Sequence, residues 1–120
     1  MGITIHAVPT AGGPPSAIMI DKTGDSTGTI KIDGTSYNVY DVKVSADGRK
    51  LVCKTTKLFF TITVTVTVAV LAAQPPNAAT VSVTIAGAPF GNGTTTYSIT
   101  VEDETKLTQF FADSHFPVLA

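Results

Sequence analysis

The feature that this sequence most clearly lacks is charge. Asp, Glu, Lys and Arg make up 14% of the 120 residues, against about 25% in an ordinary soluble domain. Residues 58–101 contain none of these four residue types and no histidine. A net charge of −1 does not supply the clustered positive charge that a nucleic-acid-binding surface needs. We therefore expect no nucleic-acid partner.

Cysteine and histidine are also scarce, which limits the chemistry that the chain can carry. The single cysteine, Cys53, cannot form an internal disulfide, so nothing points to an oxidising compartment. The two histidines, His6 and His115, are too isolated to indicate a zinc site. The first residues lack the basic start and apolar run of a secretory signal. We expect a cytoplasmic protein without metal or cofactor.

What the sequence has instead is a long alternating stretch from Leu58 to Leu71. Its even positions are apolar, and threonines occupy the odd positions from Thr61 to Thr67. Side chains alternate between the two faces of a strand, and β-branched residues favour strands over helices. The pattern predicts one long strand with an apolar face and a threonine face. Its length of about 46 Å, at ~3.3 Å per residue, predicts a bend or bulge.

The dipeptide Asp47-Gly48 lies between two alternating runs, which is the strongest short signal for a β-hairpin. A two-residue turn there places Val44 opposite Leu51 and Val42 opposite Cys53. All four side chains then share one apolar face. Cys53 is accordingly predicted to be an unreactive core residue and not a nucleophile.

A second dipeptide, Asp33-Gly34, marks another hairpin. A two-residue loop at this position would put Ile30 opposite Tyr37, on the wrong face. A three-residue loop with a glycine bulge instead places Ile30 on the same face as Tyr40. The sequence analysis therefore favours the bulged loop and an inward-facing Tyr40.

Residues 54–57 are predicted to turn the chain into the long strand. Pairing Cys53 with Leu58, and Leu51 with Phe60, keeps the apolar face continuous. Two further alternating strands are predicted over 78–86 and 94–101. Their inward residues are Val81, Val83, Ile85, Tyr97, Ile99 and Val101.

The period of the hydrophobic pattern changes near the C-terminus. Leu107, Phe110, Phe111 and Ser114 follow the spacing of one helical stripe. Three acidic residues at 102–104 suit the first turn of a helix, where the helix dipole favours anions. Pro117 is expected to stop the helix.

Together these elements predict one all-β domain spanning 1–120. Because the connections are short, the expected topology is an antiparallel meander of six to eight strands. The meander forms a small barrel, or alternatively a sandwich, and one short C-terminal α-helix covers an end or a face.

Signals of catalysis and of ion binding are weak. Asp113, Ser114 and His115 are adjacent in sequence, but a catalytic relay is a spatial arrangement and adjacency does not indicate one. The loop at 21–27 has aspartates without the spacing of a calcium loop. No catalytic or metal-binding residue is predicted, and the chain is expected not to be an enzyme.

A set of basic residues is predicted to cluster at one hairpin end, either as a solvated rim or as a weak site for an acidic group. Its members are Lys43, Arg49, Lys50, Lys54 and Lys57.

Two classes of function remain. The first is a binding module whose barrel lumen holds a hydrophobic small molecule beneath a helical lid. The predicted ligand-binding residues are Tyr40, Cys53, Phe60, Tyr97, Phe110 and Phe111. The second is a structural, self-assembling protein that has no ligand and makes subunit contacts through residues 58–101.

The charge-free surface predicts a homo-oligomer in either case, because uncharged exposed strands invite pairing. Two other uses of the same strands are weaker. A membrane-inserting hairpin formed by 58–71 and 78–87 lacks aromatic residues at one end, so no membrane partner is expected. Ice binding by the threonine row conflicts with the twist of a sheet.

Overall fold

In a computed structural model, the chain forms a closed barrel of eight antiparallel strands and one C-terminal helix. The structure describes residues 2–70, 79–88 and 91–119. Each strand pairs with the next one in sequence, and the eighth strand pairs with the first. This confirms the all-β meander and selects the barrel over the sandwich. The elements are β1 Gly2–Pro9, β2 Ser16–Lys22, β3 Gly28–Ile32, β4 Thr35–Val44, β5 Lys50–Lys57, β6 Phe60–Val70, β7 Ala79–Ala86, β8 Gly93–Ile99 and α1 Val101–Asp113.

The barrel interior is filled by the apolar side chains of alternating strand positions. On β6, the side chains of Ile62, Val64, Val66 and Val68 are buried, and the intervening threonines face outward. The other strands add mostly Ile, Val and Leu to the same core. An interior just filled by side chains is what eight strands allow. The lumen is therefore a packed core over most of its length.

The β3–β4 hairpin turns in two residues, so the predicted three-residue loop is wrong. Ile30 pairs with Tyr37, and Asp33 and Gly34 both have positive φ, at 51° and 80°. This is the φ pattern of a type I′ turn, whose twist matches that of the strands it joins. Tyr37 points toward the core, against which it packs half-buried.

The alternation of inward and outward side chains along β4 reverses at Asp41. The β4–β5 register shifts between Tyr40 and Lys43, and Asp41 has a φ of 53°, a conformation that aspartate tolerates better than most residues. Because of this bulge, Val39 and Val42 are both buried, while Tyr40 is 38% exposed. The prediction that Tyr40 faces inward is wrong for this reason.

Beyond the bulge, the β4–β5 hairpin has the predicted register. Val44 pairs with Leu51, and Cys53 is fully buried. In the connecting loop, the Asp47 carboxylate accepts hydrogen bonds from the Ser45 hydroxyl and from the Arg49 backbone N–H. These bonds, led by the one from Ser45, lower the pKa of Asp47.

The β5–β6 turn lies at Leu58-Phe59, so the predicted turn over residues 54–57 is wrong. Lys57 pairs with Phe60, and Cys53 pairs with Val64 instead of Leu58. The register has moved by six residues, an even number, so the side chains from Ile62 to Val68 keep their predicted faces, whereas Leu58 lies in the turn and is exposed. Phe60 has moved from the barrel wall to its rim, where it is 42% exposed.

Helix α1 closes one end of the barrel. Thr100 caps its N-terminus, where the threonine hydroxyl accepts a hydrogen bond from the Asp103 N–H at 3.1 Å. The predicted stripe is confirmed, since Leu107, Phe110 and Phe111 are buried. Val101, predicted to be an inward strand residue, instead begins the helix and is 44% exposed.

Polar contacts stabilise the end of the molecule that α1 closes. Arg49 forms a 3.0 Å ion pair with Glu104, whose side chain is only 8% exposed. The acidic first turn therefore also anchors the helix to the β4–β5 loop, beyond its interaction with the helix dipole. After the helix, Val44 exchanges backbone hydrogen bonds with Pro117 and Leu119 at 2.9 and 2.8 Å.

Candidate functional site

The end of the barrel opposite α1 is its open mouth. It is formed by the β1–β2, β3–β4, β5–β6 and β7–β8 connections, because antiparallel strands bring alternate connections to the same end. An apolar cavity of about 230 Å³ opens there. The side chains that line it are Tyr37, Lys57, Leu58, Phe60, Ile62, Val64, Ile85 and Ala88.

A second, more polar cavity of about 400 Å³ adjoins the first. Both cavities are lined by Tyr37, Ile85 and Gly91, so they form two parts of one mouth. Asp33 and Tyr97 line the polar part. Burial, and secondarily the negative charge of Asp33, raise the pKa of Tyr97. The Tyr97 phenol therefore stays neutral and keeps its proton as a hydrogen-bond donor.

Only two of the six residues predicted to bind a ligand line this mouth, namely Phe60 and Tyr97. Phe110 and Phe111 pack in the core beside each other, with ring centroids 6.3 Å apart. Tyr40 lies outside the barrel, where its hydroxyl is 3.0 Å from that of Thr56. The predicted set therefore does not come together as one site.

Cys53, the sixth predicted residue, is also part of the packed core. Its thiol donates to the Val64 carbonyl over 3.7 Å, and burial raises the pKa of Cys53 to about 12. A thiol that remains protonated at neutral pH is a poor nucleophile. This agrees with the prediction that Cys53 is a core residue.

The sequence analysis missed Tyr37 and Ile62 as site residues. Ile62 was predicted to face inward, but its position at the mouth depends on the β5–β6 turn, which the analysis placed elsewhere. Tyr37 was assigned to the wrong face because the parity change at Asp41 was not anticipated. A non-glycine residue with positive φ inside a strand leaves little trace in the hydrophobic pattern.

The residues at 113–115 do not assemble a catalytic relay. The Ser114 hydroxyl donates to the Phe111 carbonyl at 3.0 Å, and Asp113 accepts hydrogen bonds from Gln109. Among the described residues, no group of three or more Cys, His, Asp or Glu side chains could hold a metal ion.

The predicted basic cluster forms only in part, since Lys43 pairs with Val52, between Lys50 and Lys54 on the neighbouring strand, whereas Arg49 and Lys57 lie elsewhere. Arg49 lies beside the helix. Lys43 and Lys54 share Asp41, at 3.9 and 3.2 Å from its carboxylate oxygens. Lys57 lies at the mouth, on the wall of the apolar cavity. These side chains do not form one anion site.

The outward face of β6, β7 and β8 carries a grid of hydroxyl groups. Thr65 pairs with Thr84, which is 2.9 Å from the hydroxyl of Thr94. In the next row, Ser82 is 3.0 Å from the hydroxyl of Thr96. We call this surface the hydroxyl face. It has no charged residue, and its hydroxyl groups bond to one another across neighbouring strands.

No family model matches the chain, and no curated protein or solved structure is significantly similar to it. In the part of the chain that the structure describes, no helix is long and apolar enough to cross a bilayer. The barrel mouth and the outer surface are therefore the features from which a function can be inferred.

Proposed function

We propose that this protein is a non-enzymatic binding module that holds a hydrophobic small molecule at the open mouth of its barrel. The observation that carries the proposal is the 230 Å³ apolar cavity at the one end of the barrel that α1 does not cover. The filled core below it leaves the mouth, and not the deep lumen, as the place for a ligand. Concave apolar sites with a few polar groups are the usual form of small-molecule sites.

The shape of the mouth restricts the ligand. A volume of 230 Å³ lies below the usual range of about 300–1,000 Å³ for drug-sized ligands. The apolar part therefore suits a single ring system or a short alkyl chain. The adjoining polar part, with the neutral Tyr97 phenol, suits a hydrogen-bond acceptor at one end of that molecule.

The proposal can be tested with the fluorescent probe 2-naphthol, which combines one fused ring system with a hydroxyl oxygen that accepts a hydrogen bond. We expect saturable binding that Ile85→Phe weakens about tenfold or more, because the larger side chain fills the cavity. Ile85 is only half-buried, so this variant should fold. Val70→Phe is the matched control, since Val70 is 50% exposed and lies at the opposite end.

Two results would contradict a ligand site at the mouth. One is the absence of saturable probe binding by the folded protein. The other is equal probe affinity in the Ile85→Phe variant and the wild type. Near-UV circular dichroism of each variant separates loss of the site from loss of the fold.

A self-assembling protein is the second candidate function, and the hydroxyl face favours it. Barrel closure has removed the unpaired edges, so a homo-oligomer would form by contact between faces. Charged residues are depleted at the centres of protein interfaces, which fits this uncharged surface. Thr65→Lys should then dissociate the oligomer in sedimentation velocity, whereas Thr4→Lys, on the exposed side of β1, should not. A monomeric wild-type protein at tens of micromolar would exclude this function.

A further inference from the structure

The hairpin that joins β5 and β6 ends in large apolar side chains exposed to solvent. Leu58 is 79% exposed, Phe59 is 97% exposed and Phe60 is 42% exposed. We call these three consecutive residues the apolar tip. Single exposed apolar residues are ordinary on protein surfaces, but three in a row at a tight turn form a local patch that points to an interaction.

The geometry of this turn does not explain its residues. Leu58 has a φ of 57°, and Phe59 is not among the residues with positive φ. Two-residue hairpin turns place Gly, Asn or Asp at positive φ, because a Cβ with a bulky side chain is strained there. The β3–β4 turn of the same barrel follows this rule with Asp33-Gly34. Leucine at position 58 is thus unfavourable for the turn itself.

The charged residue next to the apolar tip is a lysine. Lys57 directly precedes the tip and is the only charged residue between Lys54 and Glu102. Strand β7, which pairs with β6, contains no carboxylate. The β3–β4 turn at the same mouth carries one carboxylate, Asp33, which accepts a hydrogen bond from the Ser16 hydroxyl.

We propose that the apolar tip inserts into the interface of an anionic lipid bilayer, with Lys57 at the level of the lipid headgroups. The tip is convex, and its most exposed side chain, Phe59, offers about 150–250 Å². A stable protein interface needs about 1,000 Å² and a complementary shape, whereas a bilayer accepts a small apolar protrusion without a matching surface. Lysine beside the tip complements the negative surface potential of anionic lipids.

This inference goes beyond the proposed ligand site. Leu58, Phe60 and Lys57 also line the apolar cavity, whereas Phe59 does not, so substitutions of Phe59 test the tip separately from the ligand site. It also differs from a spanning hairpin, because β5 and β6 remain part of the closed barrel. Only the turn and its flanking lysine contact lipid.

The first test is sedimentation of the protein with vesicles of phosphatidylcholine and phosphatidylglycerol, beside vesicles of phosphatidylcholine alone. We expect binding to the mixed vesicles. Phe59→Ser should lower the partition coefficient about tenfold or more, since one large apolar side chain is lost from the bilayer. Lys57→Gln should lower it about fivefold, and only on the anionic vesicles. Val118→Ser is the matched control, because Val118 is 66% exposed at the opposite end of the molecule.

The second test reports insertion directly and uses the absence of tryptophan from the chain. Phe59→Trp places a single indole at the tip, and we expect its emission to shift to the blue and to be quenched by brominated lipids. The same probe in Val118→Trp should respond to neither. Leu58→Asn should weaken vesicle binding without lowering the melting temperature, because asparagine tolerates positive φ.

Three results would overturn the proposal. They are absence of wild-type binding to the mixed vesicles, full binding by Phe59→Ser, and an equal loss in Val118→Ser. Concentration-dependent self-association that Phe59→Ser abolishes, without any vesicle binding, would instead assign the tip to a second copy of the chain.

Discussion

The buried thiol of Cys53 should make the stability of the barrel depend on alkaline pH. Cys53 is 0% exposed, and burial raises its pKa from 9.0 to about 12. Because the pKa is higher in the folded chain, the thiolate forms first in the unfolded chain. The stabilisation is therefore complete below pH 9 and is lost as the pH rises toward 12.

The size of this effect follows from the difference between the two pKa values. One pH unit in the window between them corresponds to about 1.4 kcal/mol. Between about pH 8 and pH 10 the free energy of unfolding should fall by roughly 1.4 kcal/mol. Tyr97 contributes less than Cys53 in this range, because its pKa is raised from a higher ordinary value of 10.0.

Urea unfolding at the two pH values, followed by far-UV circular dichroism, measures this difference. Cys53→Ala is the control: it should be less stable than the wild type at pH 8, and its own stability should fall much less between pH 8 and pH 10, so that its deficit shrinks at the higher pH. Equal wild-type stability at both pH values would refute the reasoning, as would an unchanged dependence in Cys53→Ala. Rapid modification of the native thiol at neutral pH would refute the burial on which it depends.

Two further predictions concern the fold. Phe111→Ala should lower the free energy of unfolding by about 3–5 kcal/mol, since Phe111 is 2% exposed, whereas Phe59→Ala should change it by less than about 0.5 kcal/mol; similar values for the two variants in urea unfolding would mean that α1 does not dock as described. Asp41→Val should be about 1–2 kcal/mol less stable than Asp41→Asn, because both variants lose the charge but only valine is strained at a φ of 53°. Equal thermal unfolding of these two variants would contradict the bulge.

The fold class could be predicted because alternation and turn residues agree over most of the chain. Asp47-Gly48 correctly placed Val44 opposite Leu51. Alternation specifies which face a side chain occupies, but not which residue it faces, since any even shift preserves the faces. That is why Cys53 was predicted to pair with Leu58, although it pairs with Val64.

The mouth could be predicted only in part, because its composition depends on where the turns lie. Tyr97 and Ile85 were correctly assigned to the inner face. The hydrophobic pattern could not show that Tyr40 lies outside and Tyr37 inside, since one bulge at Asp41 reverses the parity. Leucine and phenylalanine at the β5–β6 turn also gave no turn signal, as the residues that mark such turns are Gly, Asn and Asp.

The way in which the barrel closes has a consequence for how it folds. Seven of the pairings join strands that are consecutive in sequence, and each can form outward from the connection between its two strands. The eighth pairing joins the first strand to the last. Of the residues of β1, only Val8 and Pro9 pair with β8. One further backbone bond links Thr10 to Thr96, 86 positions along the chain. Closing so long a loop carries the largest entropic cost of any contact in the sheet. We therefore expect this short seam to form late in folding, and to be where the native barrel opens first into a curled sheet.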